Sequence, residues 1–292
     1  MDTVGIALSS PDIEPYPRPE GDLFDITAHR KWFSRYAAAE RALCDRDPGP
    51  LDLKTRHTYK VLDNALFIVR AEGFAPPMAR ACLLAALYHD IARFEQYRIW
   101  NTFRDKESCS HGELGARILT NLGVLRHEPA LAPTVIRAVA LHNVLALPEG
   151  LPRDVRAVTQ VVRDADKIDI LRVMDEHLSS TEPYSPTVVL SRPDTPDLFS
   201  AKVIADVEAG RVASYDDLES VNDFRLLLGG WVNGLSYSAS RRRMALDGHA
   251  FRLVAALPAD GVYASARGKV LAELESLLAG GDAAQGTGRA AG

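Results

Sequence analysis

Along most of this chain the apolar residues recur every three or four positions, the period of a helix packed on one side, and the alternation of a half-buried strand is nearly absent. The pattern predicts an all-α fold. From Lys54 to Arg70, His57, Val61, Asn64, Ala65 and Ile68 share one stripe, and Gly73 supplies the stop because glycine enters left-handed backbone freely. Pro76-Pro77 opens the next helix, where a missing N–H costs nothing. Its interior, Ala81 to Leu87, is apolar all round, which places it at the centre of a bundle with His89 and Asp90 at its buried end. A polar loop is expected from Glu95 to Ser110. Ser110 and Glu113 then have capping-box spacing, so His111 falls in the first turn of a helix carrying Leu114, Ile118 and Leu122. Pro133 begins another helix, with Val135, Ala138, Val139 and His142 on one face and Pro148 at its end.

The following helix has its apolar stripe at Val155, Val158, Val162, Ile170 and Val173, and three aspartates compete to point inward from it. At about 100° per residue, Asp166 lies about 40° from Val162 and Asp164 about 200° from it. Asp166 is therefore the expected buried member, and Asp164 is expected to be solvated or paired with a local arginine. Asp169 falls near the same face as Asp166, where it can accept a hydrogen bond from a ligand imidazole.

Composition narrows the possibilities without naming a chemistry. With 292 residues, 47% of them apolar, the chain can bury a sizeable core. We expect an extended or disordered lead-in over 1–25, where Pro11, Pro15, Pro17 and Pro19 cluster, one domain over 26–278, and a flexible Gly/Ala-rich tail over 279–292. A net charge of -5 gives no general attraction to extended nucleic acid, although a local pocket can still hold a small anion. The start lacks the basic and apolar regions of a signal peptide, and no apolar run is long enough for a membrane span, so a cytoplasmic protein with no membrane partner is expected. Cys44, Cys82 and Cys109 show no CxxC spacing and indicate neither a disulfide framework nor a zinc ribbon. Arg241-Arg242-Arg243 reads as a solvated helix face. Leu227, Trp231 and Leu235 read as packing residues, with a homodimer surface as the alternative.

The candidate chemistry lies in the order H…HD…H…H…D, formed by His57, His89-Asp90, His111, His142 and Asp166. One inward histidine is commonly a hydrogen-bonded core residue. Four of them with inward aspartates would leave many lone pairs facing one another unless a cation sat among them. Imidazole and carboxylate suit divalent transition metals, and a pair of metals needs a carboxylate placed between them. His29, His127, His177 and His249 lie outside this order and receive no role.

These residues carry a resemblance to the HD-domain superfamily of metal-dependent phosphohydrolases. His57, His89-Asp90 and Asp166 are similar to its four-ligand signature, and His111 and His142 to the extra histidines of its dinuclear branch. Three blocks, Tyr88-His-Asp-Ile-Ala-Arg-Phe-Glu-Gln-Tyr97, Ser110-His-Gly-Glu-Leu-Gly115 and Arg163-Asp-Ala-Asp-Lys-Ile-Asp169, resemble a bacterial subgroup with HDIGRFEQ, DHxxxG and RDADKLD motifs. Ala92 stands where the subgroup has glycine, and Ser110 where it has aspartate. The likeness is clear from Leu53 to Leu171 and extends toward Leu257.

The resemblance implies an HD-type helical bundle with additional C-terminal helices. It also implies two divalent transition metals (Fe, Mn, Co or Ni): His57, His89, Asp90 and Asp166 hold one, His111 and His142 the other, and Asp90 bridges them. A metal-bridging hydroxide would then attack a phosphoester of a small phosphorylated metabolite, with a nucleotide as the leading expectation. Arg93 and Lys167 are the candidates for holding phosphate near the metals. Tyr97, Arg98, Arg104 and Lys106 are expected to form an aromatic and basic rim. HD-fold diiron oxygenases, which cleave C–C or C–P bonds with dioxygen, use the same kind of ligand shell and are the alternative. A binding module without turnover is a third class, against which an intact six-residue shell argues.

Overall fold

The computed structural model describes residues 10–18, 22–180, 192–195 and 197–286. Among these residues there is no strand, in agreement with the all-α expectation. The chain divides into two compact units, Met1–Asp169 and Ile170–Gly292, and the division falls inside one long helix.

The first unit contains α1 (Thr27–Leu43), α2 (Gly49–Ala71), α3 (Pro76–Tyr88), α4 (Ala92–Trp100), α5 (His111–Leu122), α6 (Ala132–Leu141) and the first part of α7 (Arg153–Leu178). Helix α3 is its centre. Every residue from Ala79 to Tyr88 is buried, as an all-round apolar sequence requires. Helices α2 and α6 pack against α3, and α5 packs against α6. Gly73 ends the turn after α2 with φ at +67°, the left-handed conformation for which glycine is suited.

One charged group is buried deep in this core. Arg80 donates from Nε to Glu128 Oε1 at 3.0 Å and from an η nitrogen to the carbonyls of Leu23 (3.1 Å) and Asp25 (2.8 Å). His29 completes the network, with Nε2 3.2 Å from Glu128 Oε1 and Nδ1 2.8 Å from the Tyr88 hydroxyl. A buried guanidinium is tolerable only with such partners, and here they tie α1, α3 and the segment before α6 together.

Three expectations need adjusting. The Glu95–Ser110 stretch is not all loop: α4 continues to Trp100 because Phe94, Gln96 and Tyr97 have a core to pack into, and Asn101 ends it at φ 55°. A 3-10 turn, Asp105–Glu107, follows. The burial order of the α7 aspartates is the reverse of the expected one: Asp164 is 1% exposed, which removes the solvated alternative for it, whereas Asp166, the expected buried member, has a side chain 21% exposed. The single-stripe argument fails because α7 is enclosed on several sides at this level, with Val161, Val162, Ala165 and Ile168 also buried. The lead-in at 10–18 is irregular yet fastened: the Trp32 indole donates to the Ile13 carbonyl at 2.7 Å, Arg35 donates to the Pro15 carbonyl at 2.8 Å, and the Arg126 guanidinium lies 3.4 Å from the centre of the Tyr16 ring. Residues 1–9 and 19–21 of that lead-in, and 287–292 of the expected tail, lie outside the described residues; before them α12 (Ala264–Gly286) continues as helix through the start of the tail.

The second unit holds the remainder of α7, α8 (Ala201–Glu208), α9 (Val221–Gly230), α10 (Ser238–Asp247), α11 (His249–Ala255) and α12. Its centre is α9, which packs on α8, α11 and α12. Ser220 and Asp223 close a capping box at its start, and the same Asp223 carboxylate accepts from the Tyr263 hydroxyl at 2.9 Å. Leu227, Trp231 and Leu235 are buried within this unit. Among the described residues no helix is long and apolar enough to cross a membrane.

Candidate metal centre

All six residues of the ordered motif belong to the first unit, and the helices deliver them to one place. His57 comes from the middle of α2, His89 and Asp90 from the turn between α3 and α4, His111 from the first position of α5, His142 from just past the end of α6, and Asp166 from α7. The four imidazoles share one orientation logic. His89 Nδ1 lies 2.8 Å from the Ala86 carbonyl and His142 Nδ1 lies 2.7 Å from the Val139 carbonyl. His57 Nδ1 lies 2.7 Å from Asp169 Oδ2, and His111 Nδ1 lies 2.6 Å from Asp105 Oδ2. Each of these oxygens can only accept, so each Nδ1 carries the proton and donates it. That leaves every Nε2 lone pair aimed inward.

The inward atoms form two groups. In the first, His57 Nε2 and His89 Nε2 are 3.4 Å apart, Asp90 Oδ2 is 3.7 Å and 3.6 Å from them, and Asp166 Oδ1 is 3.0 Å and 3.8 Å from them. In the second, His111 Nε2 and His142 Nε2 are 3.0 Å apart, and Asp90 Oδ1 is 3.6 Å and 3.9 Å from them. Donors around a divalent cation at about 2.1 Å stand about 3.0 to 3.4 Å from one another in octahedral or tetrahedral arrangement; the His57–His89, His57–Asp166 and His111–His142 separations have that spacing, and the longer ones, up to 3.9 Å, would close by about 0.2 to 0.5 Å around a cation. The triads His57, His89, Asp90 and Asp90, His111, His142 each offer buried ligand atoms within 4.8 Å of one another.

The electrostatics agree with the chemistry of such a set. Burial pushes His89 down, and it pushes His111 and His142 down to about 4, so these rings are neutral near pH 7 and able to ligate. His57 differs. Burial and the Lys54 ammonium oppose its protonation, but Asp166 and Asp169 outweigh them and raise its pKa. Burial also opposes ionisation of Asp90, yet Lys54, His89, Arg93 and His111 hold its carboxyl well below the usual range. Among the four imidazoles His57 is thus the one whose surroundings favour the charged form.

The supporting residues are partly ones that sequence reasoning did not single out. Lys54 donates to Asp90 Oδ2 at 2.7 Å, and its position one turn before His57 is the signal that could have found it. Asp105 has no periodic signal at all. Its carboxylate accepts from His111 Nδ1, from Asn143 Nδ2 at 2.9 Å, from Gln96 Nε2 at 3.0 Å and from an η nitrogen of Arg93 at 3.1 Å. Arg163 holds the far side of the site by donating to the carbonyls of His142 and Val144.

Of the expected phosphate contacts, Arg93 is at the cluster, with Nε 3.2 Å from Asp90 Oδ1. Lys167 is half-buried beside Asp166, and burial lowers its pKa. Tyr97 and Arg98 turn elsewhere: the Tyr97 hydroxyl donates to the Asp47 carbonyl at 3.1 Å from a buried ring, and Arg98 Nε donates to Glu40 at 2.9 Å. Arg104 pairs with Glu107 within the loop, and Lys106 is exposed on it.

Four converging imidazoles with Asp90 between them invite comparison with known metal-binding folds. Residues 55–174 match the HD domain family. The matched segment runs from α2 into α7 and contains all six candidate ligands, and the match supports the HD superfamily for it. HD domains bind divalent metals, and most are metal-dependent hydrolases. No curated protein and no solved structure matches the chain.

Proposed function

We propose that the HD domain is a dinuclear metal phosphohydrolase acting on a small phosphate ester. The observation that supports two metals rather than one is the division of Asp90: Oδ2 faces the His57 and His89 pair while Oδ1 faces the His111 and His142 pair. Divalent cations held there would lower the pKa of a coordinated water toward neutrality and take up charge on the phosphoryl oxygens. The chain supplies the rest. His57, His89, Asp90 and Asp166 would hold one cation and Asp90, His111 and His142 the other, with Asp169 and Asp105 fixing the tautomers of two of those imidazoles. Arg93 brings positive charge to the edge of the cluster, where an anionic substrate needs it. The nucleotide expectation leaned on a rim that included Tyr97 and Arg98; with those side chains engaged elsewhere, the proposal is a phosphate ester of unspecified leaving group.

Elemental analysis of purified protein, followed by a phosphate-release screen over nucleotides and sugar phosphates without oxygen, tests this function. Two equivalents of metal and anaerobic phosphate release are the expected result. Turnover that requires iron and consumes dioxygen would replace it with the oxygenase chemistry. Asp90→Ala should lose metal and activity together, and an Asp90→Ala protein with full metal content would remove the bridge.

A further inference from the structure

The geometry points to Lys54 as the residue that binds a non-bridging oxygen of the substrate's phosphate, and to a phosphomonoester as the substrate class. This assignment rests on the dinuclear function proposed above. Lys54 lies one helical turn before His57 on α2, so the two side chains reach the same cluster. Its Nζ sits 2.7 Å from Asp90 Oδ2. The Phe103 ring flanks it at 5.3 Å, and flanks the Arg93 guanidinium at 5.7 Å, so the two cations and the ring form one wall beside Asp90.

The two cations differ in freedom. Arg93 is anchored through one η nitrogen to Gln96 Oε1 at 2.8 Å, the Phe103 carbonyl at 2.5 Å and Asp105 Oδ1 at 3.1 Å. Lys54 carries its charge on a flexible four-carbon stem, and its side chain is 17% exposed against 3% for Asp90, which sets it between the carboxylate and solvent. An ammonium and a divalent cation repel when they share one carboxylate oxygen. Cations held by the Asp90 ligand groups would repel the Lys54 ammonium, and its flexible stem would let it turn toward an anion entering the site.

Counting oxygens selects the class of anion. A phosphomonoester has three non-bridging oxygens and a diester has two. If the cations of the proposed centre each took one, only a monoester would keep a third for Lys54.

Calorimetry of the metal-loaded protein tests this with inorganic phosphate and dimethyl phosphate as probes, metal content being measured for wild type, Lys54→Gln and Lys54→Arg. Lys54→Gln should keep its metal and bind phosphate about tenfold or more weakly, the size expected for a lost charge-assisted hydrogen bond. Lys54→Arg should recover most of that loss, and dimethyl phosphate should bind all three proteins alike. Unchanged phosphate affinity in Lys54→Gln, an equal loss for dimethyl phosphate, lost metal in Lys54→Gln, or loaded wild type that ignores phosphate would each overturn the assignment. Its failure is separable from that of the hydrolase function. Phosphate bound through Lys54 with no ester hydrolysed sinks only the hydrolase, whereas hydrolysis and phosphate affinity indifferent to Lys54→Gln sink only the assignment.

Discussion

If the centre is dinuclear as proposed, replacing Asp105 by asparagine should weaken the metal held by His111 and His142 while leaving the one held by His57 and His89. The carboxylate accepts from four side chains, and the shortest of these contacts, 2.6 Å, is to His111 Nδ1. An amide of the same shape has one accepting oxygen and one NH2 group. Whichever way it turns, part of it faces a donor. If the amide N–H faces His111, the ring must accept at Nδ1 and move its proton to Nε2, which lies 3.0 Å from His142 Nε2 and 3.6 Å from Asp90 Oδ1. That tautomer cannot ligate. If the amide oxygen faces His111, the NH2 is turned on the Asn143, Gln96 or Arg93 donors and the turn at 105–107 shifts.

Loss of a carboxylate behind a ligand histidine weakens metal binding by about 10- to 100-fold, or about 1.4 to 2.8 kcal/mol. The fold should persist, because Asp105 lies at the edge of the site and its side chain is 30% exposed. The assay is metal titration followed by calorimetry, with nitrogen NMR of the imidazoles to read the tautomer directly. Asp105→Asn protein that takes up two equivalents at wild-type affinity, with His111 still protonated at Nδ1, would refute the reasoning.

Three further outcomes follow from the same structure. Gly112→Ala should lower stability by about 1 to 3 kcal/mol in thermal unfolding, because a Cβ there would stand 2.8 Å and 3.0 Å from the Ala140 and Val139 carbonyl oxygens, backbone that cannot swing aside; an unchanged melting temperature would show that α5 can slide on α6. Metal uptake by the His57 group should release a proton and strengthen as pH rises through neutrality, since His57 has a raised pKa, whereas His111 and His142, at about 4, have no proton left to lose there; calorimetry in buffers of different ionisation enthalpy counts the protons. Glu128, held down at about 2 against 4.5 by His29 and Arg80 despite burial, contributes on the order of 3 kcal/mol of stability that is present above pH 4.5 and disappears as pH falls toward 2; Glu128→Gln should flatten that part of the acid-unfolding curve, and an identical curve would mean that the carboxylate is not ionised in the core.

Much of the first unit was legible because its signals are local. Pro76-Pro77, Gly73 and the Ser110–Glu113 spacing mark helix ends through backbone chemistry that tertiary packing does not override. Periodicity put His57 on an inward face and Asp169 near the face of Asp166; that Asp169 meets His57 in particular is seen only once α2 and α7 are packed together. Where a helix is buried on several sides, periodicity stops discriminating, which is why it ranks Asp166 above Asp164 for burial when Asp164 is the more enclosed of the two. Polar residues also hid α4. A helix with Glu95, Gln96 and Arg98 in sequence resembles a loop unless the partners that neutralise them, such as Glu40 for Arg98, are known to be nearby. Asp105 and Phe103 were invisible for a different reason. Their positions depend on an irregular turn whose conformation is set by the contacts it makes, and no repeat in the sequence encodes those contacts.

That difference in legibility corresponds to a difference in how the two halves of the cluster are built. His57, His89, Asp90 and Asp166 are fixed by α2, the end of α3 and α7, elements whose neighbours are core residues. His142 is likewise held from behind by the carbonyl of Val139 and the guanidinium of Arg163. Of the four imidazoles His111 is the one held by the turn at 105–107, through Asp105, and Asp105 also accepts from Arg93, which donates to Asp90 from its backbone N–H at 2.9 Å and from Nε at 3.2 Å. A movement of that turn therefore reaches His111, Arg93 and the Phe103 ring beside Lys54 together. The cations proposed to meet substrate, Arg93 and Lys54, and the His111 side of the second ligand group thus share one loop, while His57, His89 and Asp166 rest on helices. Strain or order introduced into residues 101–110 therefore acts on His111 and on the two cations beside Asp90 in common, and it leaves His57, His89 and Asp166 to the rigidity of the core.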